Sequence, residues 1–318
     1  MRDINKFLGV MFWWAIGDAL GSTTEFLTSD KFALVKDFQW RPKFRTKPGD
    51  YTDDTAQALC LAQSLLDCGG FDIEDQLDKY LKWLSEGYMS STNRAFWIGL
   101  QTLDRLWKYK QYKEGKLQNR PREEDLSGQK KDGNGALMKI WPIPLYYAKD
   151  PQKALYYAGE SCKAIHNTDL CISCAQYFVW LIIGAMNGVK KSDLQLFPYS
   201  PVEKRWDMHK IHPDLISVVK GSYLNKEKSE LWTVYGYVLD SLEVALWWFF
   251  NFDSFEEGMI EVVNLWYDAD TNTNACLYGY LAGAYYGYDA IPERWKTQVT
   301  NKELLAQFAQ SFYQHSMK

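Results

Sequence analysis

Histidine and patterned cysteine are both scarce in this chain. It has four His and six Cys in 318 residues. Cys60, Cys68, Cys162, Cys171, Cys174 and Cys276 are scattered through apolar helical patterns and form no framework. A disulfide-stapled scaffold is therefore excluded, and reduced core thiols are expected. Cys171 and Cys174 have CxxC spacing, but no second pair exists to complete a zinc site. Charge of one sign is not in excess: 36 basic residues face 40 acidic ones, a net charge of −4, so a nucleic-acid partner is not expected. Alternating strand patterns are nearly absent. The longest apolar stretch, Cys171 to Met186, contains Ser173 and Gln176 and falls short of a membrane span, so it reads as a helix buried on most sides. The apolar stretch Phe7 to Ile16 is broken by Gly9 and runs into Gly17-Asp18-Ala19-Leu20-Gly21 with no convincing cleavage site, unlike a signal peptide. The expectation is a cytoplasmic protein without a membrane partner.

What the sequence has in quantity is helical periodicity. Apolar residues recur three and four apart in 3–16, 55–67, 72–84, 95–110, 152–163, 169–187, 232–250, 255–266 and 274–287, which predicts an all-α fold. The composition, 47% hydrophobic and 24% charged, suits a globular protein with a large core, and 14 Trp within a 16% aromatic share serve packing or planar ligands. The stretch from Lys110 to Lys131, with Pro121 and Gly128, and the polar stretch from Lys190 to Lys228 read as exposed segments. Neither divides the chain into units, so 1–318 is expected to form one compact domain.

Two acid-and-hydroxyl clusters stand before helical runs. The first is Tyr51-Thr52-Asp53-Asp54-Thr55; the second is Asp268-Ala269-Asp270-Thr271-Asn272-Thr273. Adjacent carboxylates repel and need solvent, capping or a cation. Helix capping accounts for one acid at such a place, because a side-chain oxygen satisfies free N–H groups and negative charge favours the positive helix end. It accounts less well for two acids with two hydroxyls. Oxygen donors alone suit Mg2+ or Mn2+, not zinc. Gly133-Asn134-Gly135-Ala136 is either a plain turn or a loop whose N–H groups approach phosphate. His166 heads the predicted buried helix and is either structural or part of a site. His209 and His212 form an HxxH pair without a third ligand and are expected at the surface.

In this order the landmarks resemble the ADP-ribosylglycohydrolase family, which includes dinitrogenase reductase-activating glycohydrolase. They run from Gly17-Asp18-Ala19-Leu20-Gly21 and Glu25 through Tyr51–Thr55, Gly133–Lys139 and His166 to Ala282-Gly283-Ala284-Tyr285-Tyr286-Gly287 and Ile291-Pro292-Glu293-Arg294-Trp295. The resemblance implies a compact orthogonal multi-helix fold with a central metal cleft, two Mg2+ or Mn2+ ions, and release of ADP-ribose from a modified protein or related conjugate. It implies Thr52, Asp53 and Asp54 as metal ligands and Glu25 and Asp53 as catalytic groups. Gly133, Asn134, Gly135 and His166 then line the ADP-ribose cleft.

The last motif departs from the family pattern Gly-Gly-Asp-x-Asp-Thr, in which a helix glycine follows the Thr by six residues. Read literally, Asp268-Ala269-Asp270-Thr271 leaves Gly279 eight residues beyond Thr271. A two-residue insertion in a packed helix would turn every later side chain by about 200°. The favoured register is therefore Asp270-Thr271-Asn272-Thr273, with Asp270, Asn272 and Thr273 as ligands. Asn272 then stands where the family has Asp and removes one negative charge, unless Asp268 folds back to compensate. The implied alternative is a catalytically weakened ADP-ribose-binding or interaction protein on the same scaffold.

Overall fold

The computed structural model describes residues 3–27, 33–41, 44–121, 132–196, 211–231, 236–265 and 269–318. Among these the regular elements are helices, joined by two isolated β-bridges, Arg41 with Thr46 and Gly133 with Tyr237. In chain order they are α1 (Ile4–Gly21), α2 (Asp53–Cys68), α3 (Ile73–Glu86), α4 (Leu100–Lys113), α5 (Pro142–Tyr146), α6 (Pro151–Cys162) and α7 (Asp169–Met186). There follow α8 (Lys191–Leu194), α9 (Leu215–Val219), α10 (Val238–Asn251), α11 (Phe255–Val263), α12 (Thr271–Tyr286), α13 (Glu293–Gln298) and α14 (Lys302–Met317). A 3-10 segment, Asn134–Lys139, lies between α4 and α5.

Two helices from opposite ends of the chain form the centre. Every residue from Gly9 to Gly21 of α1 and from Thr271 to Ala284 of α12 is buried. They pack antiparallel along a seam that needs glycine for close backbone approach. A Cβ on Gly279 would lie 2.6 Å from the Trp13 carbonyl oxygen, and one on Gly9 would lie 2.5 Å from that of Gly283. Large aromatics flank the seam, and several find partners for their polar tips, while the indole N–H groups of Trp141 and Trp248 are buried without one. Trp13 donates to the Gly287 carbonyl at 3.1 Å. The carbonyl of Met138 accepts from both Trp14 (3.2 Å) and the Tyr280 hydroxyl (2.9 Å), which fixes the end of the 3-10 segment against the core.

The expected helices are present with shifted ends. The predicted helix over 95–110 begins only at Leu100, because Trp97 has φ +61°, outside helical geometry. It then runs to Lys113, into the stretch expected to be a loop. The helix expected over 232–250 starts at Val238, with 232–235 outside the described residues. The apolar run in α7 is long enough to cross a membrane by length and hydropathy, yet 78% of it is buried inside the protein. The amphipathic helix α14 and the short α5 went unpredicted. Both carry Tyr or Phe at positions that pack on the same core, as between Tyr146 and Phe312 (centroids 5.9 Å apart).

Candidate active site

The start of α2 carries the first acid cluster, and its cap comes from elsewhere in the chain. Asp18 of α1 accepts from the Thr52 N–H (2.9 Å), the Thr55 N–H (3.0 Å) and the hydroxyls of Thr52 (2.7 Å) and Thr55 (2.6 Å). The capping role that sequence alone could assign to Asp53 or Asp54 is thus filled by Asp18. This frees both acids to face a cleft.

That cleft has a volume of about 1080 Å³ and is lined by Glu25, Asp53, Asp54, Gly133, Asn134, Gly135, His166, Asp270, Asn272 and Thr273, together with Phe26, Trp97 and Met138. Residues proposed from three distant parts of the sequence therefore share one cavity of the size that holds a nucleotide-like ligand. The two acid clusters touch directly. Thr273 donates from its hydroxyl to Asp54 at 3.0 Å, and Asn272 donates from Nδ2 to the Thr52 hydroxyl at 3.2 Å. Thr52 itself lies just behind the wall, between Asn272 and Asp18. Asp268 is outside the described residues, and α12 is unbroken from Thr271 through Gly279, as the gap-free register requires.

The glycine loop is built differently from a free phosphate loop. The Asn134 N–H is already donated to the Gly236 carbonyl (2.8 Å). Its side-chain amide reaches Asp270 (2.7 Å) and Ser241 (2.9 Å). Asn134 thus orients an acid of the second cluster. Gly133 and Gly135 are required because the His166 ring fills the space a side chain would take: a Cβ on Gly133 would lie 2.7 Å from His166 Cε1, and one on Gly135 2.9 Å from Nε2. His166 is itself buried. His212 lies outside the cleft, 3.8 Å from Asp214, and His209 falls outside the described residues.

Five buried acids, Asp18, Glu25, Asp53, Asp54 and Asp270, face two nearby cations, Lys139 and Arg41. Burial, then the charge of Asp270, holds the Glu25 carboxyl well above its usual pKa, against the hydrogen bond from Trp97 and the charge of Arg41. Burial, then Asp18, does the same to Asp53 and Asp54, with Lys139 opposing at Asp53. Lys139 is buried, and desolvation lowers it to about 8. Such a crowd of acids is stable only if protonated or joined by a further cation.

The donor set fits a hard cation. The oxygen Oδ1 of Asn272 and Oε2 of Glu25 are buried without a hydrogen-bond partner. Because the Asn272 amide spends its N–H on Thr52, its oxygen is the end left over. Among the described residues, the group of three carboxylate, thiol or imidazole ligand atoms that come within 4.8 Å of one another is Asp18, Asp54 and Cys276. However, Asp18 already accepts four hydrogen bonds, and burial pushes the Cys276 thiol far up, which disfavours the thiolate a metal needs. The oxygen donors that line the cleft are instead those of Asp53, Asp54, Asp270, Asn272 and Thr273, with that of Glu25.

Comparison with known proteins identifies the family of this chain. A profile described as ADP-ribosylglycohydrolase matches residues 1–318. The chain belongs to the ADP-ribosylglycohydrolase family. It is 30% identical over 315 residues to ADP-ribosylarginine hydrolase Tri1 of Serratia proteamaculans, covering 98% of this chain and 80% of that protein. It is 28% identical over 310 residues to ADP-ribosyl-[dinitrogen reductase] glycohydrolase of Rhodospirillum rubrum, with 95% and 91% covered. A solved structure titled ADP-ribosylglycohydrolase-related protein complex superposes with a TM-score of 0.80 at 33% identity, covering 99% of each chain. As a member of this family, the chain is a hydrolase of ADP-ribose conjugates.

Sequence reasoning missed several residues of the glycohydrolase cleft. Asp18 was visible as part of a motif but had no assigned role, because its partners lie 34 and 37 residues away. Lys139 and Gln57 sit behind Asp53. Phe26, with φ +52°, and Trp97 have strained backbones beside Glu25, and no sequence pattern announces a left-handed Trp.

Proposed function

We propose that this ADP-ribosylglycohydrolase is metal-dependent and releases ADP-ribose from modified arginine side chains. The observation that carries the reading is the meeting of the Asp53-Asp54 and Asp270–Thr273 clusters in one cleft, where Asn272 Oδ1 is a buried oxygen without a hydrogen-bond partner. Asp53, Asp54, Asp270, Asn272 and Thr273 would hold Mg2+ or Mn2+. A bound ion of this kind supplies charge stabilisation and alignment of ribose hydroxyls and water.

The chain's own residues do the rest. Glu25 keeps its proton to higher pH than a free carboxyl and so suits protonation of a leaving group as the glycosidic bond breaks. After departure, the carboxylate so formed can take a proton from water attacking the ribose. Its neighbour Trp97 fixes the Glu25 side chain by a hydrogen bond. The Gly133–Gly135 loop lines the cleft, with His166 packed over its two glycines and the Asn134 N–H spent on Gly236, and would form part of the wall against which ADP-ribose lies. Arginine as the acceptor is supported by the Serratia relative, an ADP-ribosylarginine hydrolase. It is also supported by the aromatic wall beside Glu25, where Phe26 and Trp97 stand with centroids 6.0 Å apart, a setting that suits a planar guanidinium.

The test is incubation with ADP-ribosylated arginine and serine peptides, with Mg2+, Mn2+ or a chelator, and calorimetry with ADP-ribose in parallel. Cation-dependent release from the arginine peptide alone is expected. Release only from the serine peptide would move the acceptor assignment. Tight binding of ADP-ribose without turnover on either peptide would instead establish the weakened binder that Asn272 suggests.

A further inference from the structure

Lys139 is a buried cation to which the reaction above gives no part. It ends the 3-10 segment and lies behind the cleft wall. Its ammonium donates to Oε1 of Gln57 at 2.9 Å and stands 5.0 Å from the ring centroid of Tyr80. Gln57 in turn donates from Nε2 to Oδ2 of Asp53 at 3.2 Å. An ammonium can only donate and an ionised carboxylate can only accept, so the amide between them has one permitted orientation. Gln57 and Asp53 are four apart on α2, one helical turn, which places the amide beside the acid. The ammonium thus reaches Asp53 through Gln57.

We propose that Lys139 is a positioning residue which, through Gln57, locks the Asp53 carboxylate in the rotamer that presents its remaining oxygen to a divalent cation. The proposal rests on the metal-dependent reading of this cleft. With Lys139 gone, the Gln57 amide loses the anchor on its oxygen and is held by Asp53 alone, so both side chains regain rotamer freedom and Asp53 is no longer fixed toward the cation. Partners of this kind behind a ligand typically alter metal affinity by about 10- to 100-fold. Asp54 and Asp270 are held by other donors, Thr273 and Asn134, so the effect is confined to one ligand.

The experiment is calorimetric titration of Mn2+ into the chelator-stripped full chain, with the low-temperature EPR spectrum of the bound Mn2+ as a second readout. Lys139→Met and Gln57→Leu should each weaken Mn2+ binding by about 10-fold or more. The double variant should be no weaker than the worse single, because both act on one oxygen. Both single variants should alter the Mn2+ zero-field splitting in the same way, which a loss of packing alone would not do. Mn2+ binding equal to or tighter than the wild type in folded Lys139→Met overturns the proposal, as does simple addition of the two losses. Should Lys139→Met not fold, Gln57→Leu decides the matter by the same criterion, since it retains the lysine. A wild-type chain that takes up no Mn2+ overturns the metal-dependent reading itself, a failure distinct from that of the variants.

Discussion

Asn272 and Thr52, 220 residues apart, are joined by a 3.2 Å hydrogen bond from the Asn272 amide to the Thr52 hydroxyl. The same hydroxyl donates to Asp18, so a chain of contacts runs from α12 through the head of α2 to α1. Asn272→Asp adds a charge among acids already crowded together. In the metal-free chain the variant should therefore melt at a lower temperature. Mn2+ affinity should rise about tenfold, because ligand charge count governs hard-cation affinity. Calorimetry and thermal melts check both. Unchanged affinity would remove Asn272 from the ligand set.

Asp53→Ala should abolish cation-dependent release of ADP-ribose while leaving the far-ultraviolet circular dichroism intact, because Asp18, not Asp53, caps α2. Turnover at the wild-type rate would exclude Asp53 from the reaction.

Trp97→Phe keeps a ring beside Phe44, whose centroid is 4.0 Å from that of Trp97, but loses the indole N–H that bonds Glu25. A drop in kcat of about tenfold or more is expected, as for a misplaced general acid. KM for the arginine conjugate should change less. Steady-state kinetics on the two proteins decide it, and a change confined to KM would instead make Trp97 a binding residue.

Gly279→Val places a side chain where the Trp13 carbonyl already stands. Destabilisation of about 3 kcal/mol is expected, read by urea unfolding. Full stability would mean that α1 and α12 can part at no cost.

The pH dependence of the stripped protein follows from the raised pKa values of Glu25, Asp53, Asp54 and Asp270. Above about pH 4 the unfolded chain has lost these protons while the folded state retains them. The folded state then binds more protons, so this contribution to stability is present at low pH and fades as pH rises. Mg2+ or Mn2+ must displace the retained protons, so its stabilising effect should grow as pH rises above the ordinary carboxylate range. Melting curves with and without the ion measure this. A cation effect that shrinks with pH would argue against carboxylate ligands.

The helical class was readable in sequence because apolar spacing reports the buried face directly. Element ends were less so: Trp97 adopts a left-handed backbone that delays α4, a choice made by its contacts with Glu25 and Phe44 and not by local propensity. The cleft residues Asp53, Asp54, Asp270, Asn272 and Thr273 were readable because oxygen donors concentrate at two helix starts. Gly279 anchored the register through a helix that tolerates no insertion. Asp18 and Lys139 were not readable as parts of the site. Their roles exist only across long sequence separations, in an acid capping a foreign helix and a cation reaching a carboxylate through an amide. The N–H of Asn134, expected to serve a ligand, is taken by Gly236, a pairing that the sequence does not foreshadow.

The glycine seam between α1 and α12 acts as a ruler. Once Gly279 meshes with Trp13, the distance along α12 back to Asp270 is set in whole residues, and any spare length must be absorbed before the helix begins. Relatives that lengthen or shorten this part of the chain can do so ahead of Asp270 at little cost to chemistry, but not behind it.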